Sequence, residues 1–398
     1  MDTKPEFWVV LPVKVAGWAH DILKNLSWGF SAAGYKSLFV IDYGTPESRD
    51  RINKGFMDKV ATGEPFVLVD LFMRMKMLGI APELVPGHFT HIGDSPIHHF
   101  NRVLNASPKT VIGIPDRRYR EIYETLGFQH RLVFVPYSGC DPVPDSLPMA
   151  ERDVDLLFTG TLGMLPGSET WKGLIKDLSA VYQEVVDEAL AETIGDDVVA
   201  FMALARAFER RGIDWREEDA AQVVQAHKAV ETYAETIARW DILSAMEGLN
   251  LHFMGDIAPE VQDKLAPFTK FHRFVSFDDM LETVKRTKLL INICPKLSGG
   301  SHTRIWNGIA YGCVNATTRS TYLDEEFVDG VDMVKFPEDL GGLKDQLAGI
   351  LDDPAGLDAM VTSSRDKYTA RHLWKHRAED IAKVMMEKPS TVPADLRF

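Results

Sequence analysis

The chain is poor in cysteine, has no long apolar run and carries no surplus of positive charge, and each shortage removes a class of protein. Its three cysteines, Cys140, Cys294 and Cys313, are scattered through 398 residues. An odd, dispersed set gives no disulfide framework. No apolar stretch approaches the roughly 18 residues that a membrane helix needs. Asp2, Lys4 and Glu6 precede the first apolar run, so no leader is visible and the expected compartment is the cytoplasm. The net charge of −14 argues against a protein that holds nucleic acid through its phosphates. A small anionic ligand stays open, because one pocket can be basic on an acidic protein.

What is present is an ordinary globular composition, 45% hydrophobic and 26% charged, in a chain longer than one core usually holds. Short apolar runs alternate with helical patterns. In the first half the runs are 7–13, 36–41, 110–114 and 131–135; in the second they are 155–160, 251–256, 271–275, 289–294 and 313–317. Such runs between helices imply parallel strands covered on both faces. The stretch 137–148 is rich in Pro, Gly and Asp and has no period, which suits a linker and a hinge. The reading is α/β: two Rossmann-like, doubly wound domains, 1–148 and 149–385, facing each other across a cleft, with a tail at 386–398.

About ninety residues between Gly160 and Leu251 show helical periodicity only. Trp171, Leu174, Ile175, Leu178, Tyr182, Val185 and Leu190 form one stripe, and Val223, Val230, Tyr233, Ile237, Trp240 and Leu243 another. A crossover helix needs far fewer residues. A helical insert is therefore expected at about 165–247, either as a structural elaboration or as a platform for an acceptor, a protein partner or self-association. Glu184, Glu188 and Glu192 would form a solvated acidic face on it.

The stretch 292–318, NICPKLSGGSHTRIWNGIAYGCVNATT, carries the clearest chemistry. A buried strand ends, and Ser298, Gly299, Gly300 and Ser301 precede a helix that begins near His302, Thr303 and Arg304. Paired glycines let a ligand approach the backbone. The helix N-terminus offers free N–H groups and partial positive charge, which suit a phosphate. Arg304 in that first turn opposes the helix dipole unless an anion compensates it, and a guanidinium can grip two phosphate oxygens. Lys296 could reach the same anion. The plainer alternative is a solvent-exposed turn in which Arg304 caps a carbonyl. Three more strand ends of this type, Gly160-Thr161, Gly255-Asp256 and Val275-Ser276, describe a crevice fit for a nucleotide.

The first half offers Gly17 and His20 after its first strand and Gly93-Asp94-Ser95 after HFTHI. His20 and Asp94 are candidate general bases for an acceptor hydroxyl, if a transfer inverts configuration. His88, His91, His98 and His99 match no common zinc spacing and have no cysteine nearby, so no metal is expected there. His372 and His376 lie four apart on the last helix without an acid to complete a site, and read as packing groups.

The order of elements resembles glycosyltransferases of the two-Rossmann (GT-B) architecture, and among them the proteins similar to the spore maturation protein CgeB. The resemblance rests on RDVDLLFTGTL (152–162), on RIWNGIAYGCVNATTRSTYLDEEFVDGVDMVKF (304–336) and on the tail DDPAGLDAMVTSSRDKYTARHLWKHRAEDI (352–381). It covers most of the second half; the first half matches in layout alone. It implies transfer of a sugar from a nucleoside-diphosphate sugar to an acceptor hydroxyl of a glycan, protein or small molecule. By that resemblance Gly160 and Thr161 approach the diphosphate, Arg304 sits near the phosphates and the backbone at Val275 meets the base. No bound metal and no other cofactor is implied, and the kinship leans toward retention. The family's Glu at the start of this helix is Asn307 here, and the acid eight positions earlier is Gly299. That departure keeps two alternatives open: a catalytically degenerate scaffold that works through the insert, and a sugar-nucleotide epimerase.

Overall fold

The computed structural model describes residues 4–11, 17–74, 79–81, 84–144, 146–195, 198–272 and 276–387. The chain forms two compact units, Met1–Asp141 with Tyr368–Phe398, and Pro142–Lys367. The sequence expectation placed a boundary at 148 and kept the final helices with the second half. The last helix, Trp374–Met386, instead packs on the helix Gly17–Ala32 of the first unit.

In the first unit the strands are β1 (Glu6–Leu11), β2 (Ser37–Ile41), β3 (Phe66–Leu71), β4 (Gly87–His91), β5 (Thr110–Ile114) and β6 (Arg131–Phe134). They form one parallel sheet in the order β2-β1-β3-β4-β5-β6. Phe7, Val9, Leu68, Val69, Phe89, Ile112 and Val133 are completely buried, as strands covered on both faces require. Phe30 of the first helix stacks on Phe7 with ring centroids 3.9 Å apart. Gly29 lets the last helix in. A Cβ at this position would lie 2.6 Å from the Trp374 carbonyl oxygen.

In the second unit β7 (Val154–Thr159), β8 (Leu251–Met254), β9 (Thr269–His272), β10 (Thr287–Asn292), β11 (Val314–Thr317) and β12 (Val334–Lys335) follow. Their order is β12-β11-β10-β7-β8-β9, again parallel. Strand order reverses between β7 and β10, which is where an open α/β sheet leaves a crevice at its carboxyl edge. Leu156, Phe158, Phe253, Leu289, Ile291 and Val314 form the core beneath that edge.

The long helical segment resolves into helices Glu169–Ile175, Ala180–Gly195, Ala200–Arg210 and Ala220–Ser244. The last of these is less an insertion than the crossover itself, because Ile242 and Leu243 join the sheet core. Glu184, Glu188 and Glu192 are not simply solvated. Arg211 donates to Glu184 at 2.5 Å and to Glu188 at 2.6 Å, and Arg206 and Arg210 hold Glu192 at 2.8 and 3.0 Å. Among the described residues no helix is long and apolar enough to cross a membrane.

Candidate functional site

The site is built at the ends of β7 and β10. Beyond β7 the chain passes through Gly160 to Thr161, and beyond β8 through Gly255. The Gly160 N–H donates to the Met254 carbonyl at 2.9 Å. A Cβ on Gly255 would lie 2.0 Å from the Gly160 oxygen, and Gly255 has φ 136°, so no other residue fits there. Two backbones thus meet without side chains between them.

Beyond β10 a short 3-10 turn, Pro295–Leu297, leads through Ser298, Gly299 and Gly300 to the helix Thr303–Ala310. The loop is tied down by its own backbone: the Gly300 N–H donates to the Leu297 carbonyl, and the Ser298 carbonyl accepts from the Thr321 N–H at 2.8 Å. His302 caps the helix, its Nδ1 accepting the Arg304 N–H at 3.1 Å. That role needs an unprotonated Nδ1. Burial, then the charges of Arg304, Lys296 and Arg239, holds the imidazole pKa well below its ordinary value.

Arg304 points back along the strand ends. Its Nη1 donates to Asn292 Oδ1 at 2.9 Å, and the Asn292 amide donates to Thr317 Oγ1 at 2.8 Å. Two strand-end side chains therefore fix the guanidinium, which lies 5.8 Å from the Phe158 ring centre. Among the described residues no carboxylate oxygen comes within 4.0 Å of it. Burial and neighbouring Arg239 push its pKa down to about 10. A cation so destabilised gains from an incoming anion.

Arg239 comes from the long helix Ala220–Ser244. It donates to the Thr161 carbonyl at 2.8 Å and to Glu235 at 2.6 Å, while its Nε is buried without a partner. Lys296 lies 4.0 Å from the same Glu235. Arg239 and Lys296 thus both face Glu235 at the mouth of the β7/β10 crevice, with Arg304 close enough to Arg239 for their charges to oppose each other, on a chain of net charge −14. Chemically this is a place for an anion with several oxygens.

Gly160, Thr161, Gly255, Lys296, Ser298, Gly299, Gly300, His302, Thr303 and Arg304 belong to these strand ends and loops. Asn307 is buried one turn into the helix, its side-chain amide without a hydrogen-bond partner among the described residues. Ser276 is occupied otherwise, as the N-cap of the helix Phe277–Val284, accepting the Asp279 N–H at 3.1 Å. Val275 lies outside the described residues. His20 and Asp94 belong to the first unit, and no contact joins them among the described residues: His20 packs edge-on to Phe39, and Asp94 lies 4.0 Å from His99. His376 accepts from the Leu373 N–H at 3.1 Å and His372 from Arg377, in keeping with packing roles. Sequence reasoning missed Arg239, Glu235, Asn292 and Thr317. The Glu-x-x-x-Arg spacing on the last helical stripe and the polar ends of two apolar runs were the available signals.

Residues 239–383, from Arg239 through the glycine loop and Arg304, match a family described as glycosyl transferase-like. That segment is thus glycosyl transferase-like in sequence. The fold of the chain is that of two solved structures. The sucrose-phosphate synthase of Thermosynechococcus elongatus is 11% identical over 96% of this chain and 98% of its own, with a TM-score of 0.51. An alpha-glucosyltransferase solved with UDP and a 13-mer DNA is 9% identical over 97% of this chain and 100% of its own, with a TM-score of 0.52. Identities this low speak for the fold alone, two Rossmann-like halves of the GT-B type. No curated protein matches the chain in sequence.

Proposed function

We propose that the enzyme transfers a sugar from a nucleoside-diphosphate sugar, held by the second unit, to an acceptor hydroxyl. The observation that carries this is Arg304, a guanidinium partly buried at a helix N-terminus with no carboxylate beside it. In the transfer the bond from the anomeric carbon to the donor's phosphate oxygen breaks and a bond to the acceptor oxygen forms. The acceptor proton passes to the departing phosphate. Arg304, Arg239, Lys296 and the helix N-terminus offset the charge that grows on that leaving group, a role filled elsewhere by a metal ion. The unpartnered Asn307 amide both donates and accepts, which suits a sugar or ribose hydroxyl. UDP in one of the two structural neighbours supports a uridine nucleotide as the first donor to test. Kinship with the CgeB-like proteins and retention of configuration belong to the same reading. His20 or Asp94 would act as base only in an inverting enzyme.

The test is a thermal-shift panel with UDP, GDP, ADP, CMP and dTDP. A nucleotide at 100 times its dissociation constant adds about 2.7 kcal/mol of stability. Arg304→Ala is expected to weaken binding of the responding nucleotide by at least about 1.5 kcal/mol, the scale of a charge-assisted hydrogen bond. Unchanged affinity in that variant removes Arg304 from the site, and silence across the whole panel overturns the transfer reading.

A further inference from the structure

A second group of cations stands in the first unit, and the donor site makes no use of it. β3 ends at Leu71, and the next two residues, Phe72 and Met73, both adopt left-handed backbone, with φ 60° and 52°. Neither is glycine. The turn is held from β4: the Phe72 N–H donates to the His91 carbonyl at 3.0 Å and the Met73 N–H to Thr90 Oγ1 at 2.9 Å. It delivers Arg74 to the carboxyl edge of the sheet beside the β1/β3 reversal, where open α/β sheets bind ligands.

Arg102 comes to the same place from the segment after β4. Its Nη1 donates to the Phe72 carbonyl and to His99 Nδ1, each at 3.3 Å. The Arg74 guanidinium lies 5.7 Å from the Phe72 ring centre, and the His99 ring centre lies 4.8 Å from it. Two guanidiniums and an imidazole therefore gather around one aromatic ring. Burial first, then Arg102, His98 and Arg74, pushes the His99 pKa down to about 3, so the imidazole is neutral at physiological pH. With Nδ1 accepting, its proton sits on Nε2.

No carboxylate oxygen among the described residues comes within 4.0 Å of either guanidinium; Asp70 bears on Arg74 only from farther away. Three buried polar atoms on these segments have no hydrogen-bond partner: Arg74 Nε, His99 Nε2, which stands 4.0 Å from the Asp94 carboxylate, and, four residues before His99, Ser95 Oγ on a residue only 1% exposed. All three can donate. Unmade hydrogen bonds at buried donors are costly, so they mark a place built for something that accepts.

We propose that the acceptor of this enzyme carries an oxyanion, a phosphate ester or a carboxylate, bound between Arg74 and Arg102 with His99 and Ser95 as further donors. The word acceptor rests on the transfer reading above; the oxyanion site itself does not.

The test separates the two. In the full chain bearing Arg304→Ala, which weakens the second-unit site, glycerol 3-phosphate, glycerate and glycerol are titrated by calorimetry at millimolar concentration. Saturable binding of glycerol 3-phosphate or glycerate, with none of glycerol, is expected, and the better of the two names the anion. Arg102→Ala, at an exposed position, is expected to weaken that binding about tenfold while leaving nucleotide affinity unchanged in the otherwise native chain. Binding of neither anion, or equal binding with and without Arg102, overturns the proposal. Should no nucleotide bind the native protein, the transfer reading falls while the anion titration still reports on the first unit.

Discussion

Beyond β7 and β8 the chain turns on Gly160 and Gly255, whereas beyond β3 it turns on Phe72 and Met73. Both turns lie beside an arginine that no carboxylate contacts, Arg304 in one unit and Arg74 in the other, at the carboxyl edge of a six-stranded parallel sheet. The means differ. Glycine adopts such backbone freely and leaves room for a ligand. A bulky residue in the left-handed region costs roughly 1–3 kcal/mol and persists only where its surroundings hold it, here Thr90 and His91. The second unit thus builds this edge from permissive residues, and the first builds its own from strain supported by a neighbouring strand.

The hardest way to break the comparison is Gly255→Ala. The added Cβ meets the Gly160 backbone, and neither chain has a side chain that can yield, so a loss of about 3 kcal/mol or more is expected. Scanning calorimetry should then show a transition assigned to the second unit moving down while that of the first stays. An unmoved pair of transitions would remove the close approach of β7 and β8 from the account.

A smaller effect separates the units by pH. The His99 pKa is about 3 when folded, against an ordinary 6.5 when unfolded. Between those values the unfolded chain binds the extra proton, so stability rises with pH and is lost as pH falls below about 6.5. The slope is about 1.4 kcal/mol per pH unit for one such group. His99→Gln should flatten the acid limb of the first unit's unfolding by that amount and leave the second unit's limb, which contains His302, as it was. An identical limb in the variant would mean that His99 takes its proton freely in the folded protein.

The smallest effect tests how Arg304 is held. Asn292→Ala removes the 2.9 Å anchor but not the charge, so nucleotide affinity should fall by about 1 kcal/mol, less than in Arg304→Ala. A loss equal to that of Arg304→Ala would show that Asn292 itself meets the ligand.

Much of this could be read from the residues. The runs at 155–160 and 289–294 are strands because five or six apolar residues in a row suit a sheet buried on both sides, and the run at 36–41 is the half-exposed edge strand of the first sheet. The glycine loop at 299–300 announced its turn. β3 escaped notice, since FVLVDL runs on into FMRMKM without a break and strand and helix look alike in such a run. Arg239 escaped for another reason. Its helix reads as part of an insertion, and only the fold shows that the same helix crosses over to the sheet and lays Arg239 on Thr161. Residues that act from distant parts of the chain leave no local pattern, and a strained turn on Phe and Met leaves none either.

The fit of Gly29 against the Trp374 carbonyl has a consequence for how this chain is made. The strands of the first sheet are synthesised before the second unit, but the helix that packs on Gly17–Ala32 is synthesised after it, as is Tyr368, whose hydroxyl donates to the Cys140 carbonyl. At 5–20 residues per second, roughly 10–50 s of translation separate the two. The second unit, continuous from 142 to 367, can finish first. The first unit is therefore completed only after the second has been made, and a nascent chain stalled before residue 374 would display a folded second unit and an unclosed first one.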